Sequence, residues 1–281
     1  MKICIRPHDV GKDTAAHLGA EIHRLGFDGV QLAIAKALTD EAGTAITGNP
    51  GTLHDELVAK IRAGFNTNGV DIPILGAYFN PVHSNVEKAR AGQAKFSDHL
   101  RLEAAFGAQY VASETGSYND DKWTYNPKNQ TEEAFQAVKK VFAELAADAE
   151  TYNAKLSIEG AWGHCMFSPQ QMARLIHEID NGHVFTTCDL YNYLYSGNYE
   201  RREQIFEDCL KLLGKKIVIF HIKDFNVFDG VLKEVPIGDG IMGWDKFLPI
   251  IQQEYPHANL VFEGVPEKEK SLAFVKQVLK V

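Results

Sequence analysis

The chain has 281 residues, 45% hydrophobic and 23% charged, an ordinary globular composition that is long enough to bury a sizeable core without disulfides. Its formal charge of −8, from 29 basic and 37 acidic residues, gives no general attraction to phosphate backbones and argues against nucleic acid as a substrate. No stretch approaches the ~18 apolar residues a membrane helix needs. The opening MKICIRP carries no apolar run of signal-peptide length, so the expectation is a cytoplasmic protein without a membrane partner.

In chain order, short apolar runs alternate with segments of helical period. Lys2–Arg6 reads as a first strand, Asp13–Leu25 as a helix with Leu18, Ile22 and Leu25 on one face, and Gly29–Ala33 as a second strand. His54–Gly69 is helical and Pro73–Phe79 is a third strand. Val86–Phe106 is helical and Gln109–Ser113 a fourth strand. Thr131–Tyr152 is a long helix, with Thr131 at its start and Glu132 and Glu133 favourable in the first turn. Lys155–Glu159, His183–Cys188, Lys216–His221 and Asn259–Glu263 complete eight strands. Helices at Ser168–Glu178, Tyr199–Leu213, Trp244–Glu254 and Glu267–Leu279 follow them, and Ser168-Pro169 is a good start signal.

Strict alternation of strand and helix implies a parallel sheet, and eight units fit a closed (β/α)8 barrel of the α/β class better than an open sheet. No GxGxxG turn follows the first strand, and no Walker A sequence occurs. Nothing resembling a linker divides the chain, so residues 1–281 read as one barrel domain. Residues 34–53, 114–130 and 225–243 read as loops at the barrel mouth. Cys4, Cys165, Cys188 and Cys209 form no CxxC pair and read as small buried hydrophobes in a reducing compartment, with Cys165 near a mouth loop.

Four successive strands end in, or run into, a metal-binding residue type. Glu159, Asp189, His221 and Glu263 stand 30, 32 and 42 residues apart in turn, about one β/α unit each. Equivalent ends of barrel strands converge on one rim, so these side chains are expected in one pocket. Three carboxylates and an imidazole make a hard, oxygen-rich donor set that favours Mn²⁺ or Mg²⁺, with Co²⁺ or Zn²⁺ also able to bind. Gathering three carboxylates without a cation would be costly.

At these residues the sequence resembles the xylose isomerase-like TIM barrel superfamily, in the sugar phosphate isomerase/epimerase-like group. The motifs are LSIEG (156–160), TCDLYN (187–192), FHIKDF (220–225), VPIGDGIMGW (235–244) and LVFEG (260–264), with LGFDGVQL (25–32), AYFNPVH (77–83) and FGAQYVASETGS (106–117) before them. The resemblance implies that Glu159, Asp189, His221 and Glu263 bind one divalent metal ion. It also implies that Glu159 and Glu263 form the acid/base pair of an epimerase, one taking a carbon-bound proton and the other returning one on the opposite face. The sequence departs from the family in three places. Asn192 stands where many relatives have a histidine, the loop after the fifth strand reads GAWGHC, and Val227 stands where an arginine is common.

Further pocket candidates are Lys223, which faces the mouth by period two from His221, His83 and Glu114 after strands three and four, Arg6 and His8 after strand one, His164 and Trp162 in GAWGHC, and Asn192 after strand six. Trp244 is either a wall or a packing residue, and Asp239 between Gly238 and Gly240 reads as a turn residue. The expected function is a metal-dependent isomerase or epimerase acting on a small sugar, polyol or sugar derivative through an enediolate-type proton transfer. A dehydratase of a polyol ketone and a non-catalytic ligand-binding barrel are the alternatives. Asn192 and the acidic charge argue against a three-zinc endonuclease. Self-association is left open.

Overall fold

Each apolar run of four to six residues forms a strand, and the helical segments pack outside them. The computed structural model describes residues 1–281. Its strands are Lys2–Ile5 (β1), Gly29–Leu32 (β2), Asp71–Gly76 (β3), Tyr110–Glu114 (β4), Leu156–Glu159 (β5), Val184–Asp189 (β6), Ile217–Ile222 (β7), Asp224–Phe228 (β8), Val231–Val235 (β9) and Asn259–Phe262 (β10). β1–β7 and β10 close into a parallel barrel in the order β1-β10-β7-β6-β5-β4-β3-β2. The helices are Ala15–Leu25 (α1), Ile34–Ala37 (α2), Asp55–Asn66 (α3), Val86–Phe106 (α4), Glu132–Tyr152 (α5), Pro169–Ile179 (α6), Arg202–Leu213 (α7), Trp244–Glu254 (α8) and Lys268–Leu279 (α9).

The helix starts follow their capping chemistry. Thr131 Oγ1 accepts from the Ala134 amide at 3.2 Å, and Ser168 Oγ accepts from Gln171 at 3.3 Å with Pro169 in the first turn. α1 and α4 stop at Gly26 and Gly107, whose φ values of 89° and 71° favour glycine.

Strand alternation splits the core in two. Ile3, Ile5, Leu75, Val111, Phe220 and Leu260 face the helices, within a cluster of 66 buried residues. Cys4, Ile74, Ala112, Ile219 and Val261 belong to a separate six-residue cluster that fills the barrel interior. One period of two further along their strands lie Arg6, Gly76, Glu114, His221 and Glu263, so the same face of the strands turns from apolar to ionic at the mouth.

Three local expectations are corrected. The third strand ends at Gly76 rather than Phe79, because the apolar run continues into a buried turn where Phe79 packs against Phe96 and Phe142 at 6.0 and 6.2 Å between ring centroids. The segment 34–53 opens with the short helix α2. Residues 225–243 are not irregular throughout, since β8 and β9 form an antiparallel hairpin. Its two-residue turn, Asp229-Gly230, has φ of 51° and 76°, the left-handed pair that Asp-Gly favours.

Candidate metal centre

Register steps the four strand-end residues along the rim, with Glu159 level with Thr187, Asp189 with His221, and His221 with Val261 two residues before Glu263. Glu159 pairs with Glu114 on one side, and Asp189 pairs with His221 on the other. Phe262 pairs with Ile222, so Glu263 and Lys223 leave their strands side by side. One donor atom from each of Glu159, Asp189, His221 and Glu263 can be chosen so that all lie within 4.8 Å of one another. Donors bound at about 2.0–2.4 Å to a single ion are separated by at most about twice that, so the cluster has the right size for one cation.

The imidazole of His221 is aimed by its far nitrogen. Nε2 faces Gln31 Oε1 at 2.9 Å, and Gln31 in turn donates through Nε2 to the Tyr78 hydroxyl. This leaves Nδ1 toward the carboxylates, 2.6 Å from Glu263 Oε2, 3.2 Å from Glu159 Oε2 and 3.6 Å from Asp189 Oδ2. A histidine held from behind in this way presents a fixed tautomer to a metal.

Each carboxylate is also held by neighbouring side chains or amides. Asn192 Nδ2 donates to Glu159 Oε1 at 2.6 Å, and the Asn192 amide donates to Asp189 Oδ1 at 3.0 Å. Lys223 Nζ lies 2.9 Å from both Glu263 Oε1 and Asp189 Oδ2 and 3.1 Å from Asn192 Oδ1. Arg6 Nη1 reaches Glu263 Oε1 at 2.9 Å, while Asp9 holds the same guanidinium at 2.9 and 3.0 Å. Asp9 also accepts from the Gly264 amide at 2.8 Å, tying the end of β1 to the end of β10.

These residues fit a divalent ion. His221 Nδ1 and Asp189 Oδ2 are buried and form no well-directed hydrogen bond, although charged partners stand within ion-pair distance of both. Two buried carboxylates and the partly buried Glu263 face two fixed cations, Lys223 and Arg6, so the balance calls for further positive charge. Without a metal, His221 supplies it. Burial opposes its imidazolium, but Glu159 and Glu263 together outweigh burial and hold its pKa well above the usual value. A metal would therefore displace a proton from Nδ1. Burial raises Glu159, partly offset by His221. Burial also acts upward on Glu263, but Lys223, His221 and Arg6 hold it well below the usual carboxylate range.

Above the cluster opens a cavity of about 560 Å³. Of the residues picked out in the sequence, Glu114, Trp162, His164, Asn192 and Glu263 line it. Lys223 lies just behind, 5% exposed, and pairs with Asp189 and Glu263 rather than with Asp224. The Asp224 carboxylate instead accepts from the amides of Phe225, Gly238, Gly240 and Met242. His8 is half-buried beside Arg6, with Nδ1 unpartnered, and is not part of the cavity wall. His83 is placed elsewhere, 3.2 Å from Asp121 and accepting from the Asn85 amide at 2.9 Å, where it ties the turn before α4 to the 120–121 turn. Trp244 is buried and donates to the Lys223 carbonyl at 2.7 Å, a packing role. Cys165 is buried, and burial pushes its thiol up to about 12. Asp239 sits in a turn and pairs with Lys270.

Sequence reasoning missed Gln31, Tyr78, Trp123, Tyr191, Tyr195 and the hairpin residues Val231 and Leu232. Gln31 had a visible signal, as a lone polar residue in an otherwise apolar strand. The Asp-Gly turn flanked by FNVF and VLKEV signalled the hairpin. Trp123 and Tyr195 lie in aperiodic segments and had none.

A closed eight-stranded parallel barrel with three carboxylates and one imidazole converging at its carboxyl-end rim defines the class of protein. The chain belongs to the xylose isomerase-like TIM barrel family, whose model matches residues 20–278. No curated protein matches it in sequence. Among solved structures it is similar to a xylose isomerase-like TIM barrel protein from Mycobacterium smegmatis in complex with magnesium, at 16% identity and a TM-score of 0.75, covering 99% of this chain and 95% of that one. It is similar to D-psicose 3-epimerase in the presence of D-fructose, at 16% identity and a TM-score of 0.72, covering 100% of both chains. It is also similar to the probable 3-DHS dehydratase AsbF from Bacillus anthracis, at 13% identity and a TM-score of 0.72, covering 100% of this chain and 99% of that one. At such identities the likeness is one of fold.

Proposed function

We propose that the protein is a divalent-metal-dependent isomerase or epimerase acting on a small sugar, polyol or sugar derivative. The carrying observation is that Glu159 and Glu263 converge with Asp189 and His221 on one cation-sized point at the floor of a cavity. Glu159, Asp189, His221 and Glu263 would hold the ion. When bound, a divalent ion supplies Lewis acidity, acidifying a carbon-bound hydrogen beside a carbonyl and offsetting enediolate charge.

The chain's own residues supply the proton handling. Glu159 at the end of β5 and Glu263 just past β10 come from strands separated by β6 and β7, so they approach the reacting carbon from different sides. Asn192 anchors Oε1 of Glu159, and Lys223 and Arg6 anchor Oε1 of Glu263. Each carboxylate thus keeps its Oε2 toward the centre, one to take a proton and the other to return one. Lys223 adds a fixed positive charge beside the site of developing oxyanion. Aromatic side chains and the hairpin tip line the cavity above the centre.

Elemental analysis of purified protein is expected to find one divalent ion per chain. A panel of free ketoses and polyol ketones in D₂O is expected to show deuterium entering the carbon next to the carbonyl, with no loss of water from the substrate. Glu159→Gln and Glu263→Gln are each expected to cut that exchange by about 10²–10⁴-fold. Metal-loaded protein that exchanges no hydrogen on any panel member, or that releases an unsaturated ketone, overturns the isomerase reading.

A further inference from the structure

The cavity above the metal centre has two parts of different chemistry. Its floor is polar, with Glu114, His164, Asn192 and Glu263 at or past the strand ends. The outer wall comes from loops. Trp123 follows β4, Trp162 follows β5, Leu194 and Tyr195 follow β6, and Val231 and Leu232 stand at the tip of the hairpin. No residue of this outer wall carries a charge.

The space is larger than one sugar. A bonded heavy atom takes less than the ~30 Å³ of a liquid water, so a sugar of about twelve heavy atoms takes well under ~360 Å³ of the cavity's 560 Å³. The remainder lies against the outer wall. It is also held open. Trp162 is stacked between Tyr195, at 4.0 Å and 11°, and Tyr125, at 5.4 Å and 5° between rings, so both its faces are covered and its indole does not swing inward. The loop carrying it is tied on two sides. The Trp162 amide donates to the Asn192 carbonyl at 2.7 Å, and Asn129 Nδ2 donates to the Gly163 carbonyl at 2.7 Å. On the opposite side Val231 is 56% exposed, an apolar surface at the cavity edge with nothing over it. A second polyhydroxylated unit here would turn hydroxyls toward Leu194, Val231 and Leu232, which offer them no hydrogen bond. An apolar ring loses nothing by leaving water at such a wall.

We propose that the outer cavity is a subsite for an apolar ring, so that the substrate is a sugar unit bearing an aryl or similar cyclic substituent rather than a bare monosaccharide. The proposal rests on the isomerase reading for placing the sugar unit at the metal centre, and it names the substrate class of that site.

Isothermal titration of the magnesium-loaded full chain with methyl and phenyl glycosides of glucose, galactose and xylose reads the subsite without turnover. At least one phenyl glycoside is expected to bind about tenfold or more tightly than its methyl partner, the value of burying one aromatic ring. Val231→Trp, at an exposed position of the hairpin, puts an indole where the ring would lie and is expected to bring that ratio within about threefold of unity. Leu232→Ser is expected to lower the ratio by about threefold through lost apolar contact. Both variants are expected to keep the native metal stoichiometry, so that the ratio alone reports the outer wall. Melting curves identify a variant that does not fold, and the native ratio and the other variant then decide. Equal binding within every pair, no binding of any phenyl glycoside, or a ratio unchanged in both folded variants overturns the proposal. Hydrogen exchange on free ketoses without a ring preference removes the subsite and leaves the isomerase reading, and a ring preference without exchange on any ketose does the reverse.

Discussion

The lower and upper parts of the barrel interior are built on the same strands yet obey opposite rules. Below, Cys4, Ile74, Ala112, Ile219 and Val261 fill the interior with apolar side chains. Above, Arg6, Glu114, His221 and Glu263 crowd charge into a space where His221 is 1% exposed. The lower layer gains free energy from burial, and the upper layer spends it on desolvated ions. A barrel separates stability from chemistry by a shift of two residues along a strand.

Substitutions that cross this line should have distinct signatures. The largest effect is expected above. Glu263→Gln should cut hydrogen exchange by about 10²–10⁴-fold, the value of a positioned proton-transfer group, in protein that still unfolds cooperatively. The converse holds below. Ile219→Ala, at a fully buried position, should cost about 2–5 kcal/mol in denaturant unfolding while metal stoichiometry in the folded protein is unchanged. Loss of metal from Ile219→Ala would show that the layers are not independent.

Gln31→Leu sharpens the boundary, because Gln31 bonds His221 and none of the other three candidate ligands. It should weaken metal binding about 10–100-fold by equilibrium dialysis, since His221 loses its orienting partner. The smallest effect lies at the foot of the barrel. Glu103 on α4 is 6% exposed and accepts from the Lys155 amide at 3.1 Å, yet burial pushes its carboxyl up to about 7. A raised carboxyl binds its proton more tightly in the folded state than in the unfolded state. The resulting stability is complete below the unfolded value of about 4.5 and is lost as pH rises toward 7. Glu103→Gln should remove this slope, shifting the variant relative to the native chain by roughly 2–3 kcal/mol between pH 4 and pH 8 in urea melts.

Much of this was legible because barrels write one ligand per strand end. Glu159, Asp189, His221 and Glu263 recur at the spacing of a β/α unit, and period two then brought Lys223 to the mouth. The supports of these ligands were harder to see. Asn192, read as a departure from the family at a substrate position, bonds Glu159, Asp189 and Lys223 at once, a contact pattern no local periodicity encodes. Gln31 and Tyr78 act across the barrel, so their roles depend on closure. His83 follows a strand as Glu114 does, but the turn before α4 carries it to Asp121 instead of the cavity. The end of the third strand was misplaced because apolar residues past Gly76 are buried by helices rather than by the sheet.

The hairpin β8–β9 is set apart from the barrel sheet, since its two strands pair only with each other. Asp224 pins its base to the amides of Gly238, Gly240 and Met242, while Gly230, Val231 and Leu232 reach the cavity. Its length and tip can therefore change without disturbing any ladder that carries a ligand. In evolution or in the laboratory, this segment is an exchangeable wall through which one fixed candidate metal centre can be offered to molecules of different girth.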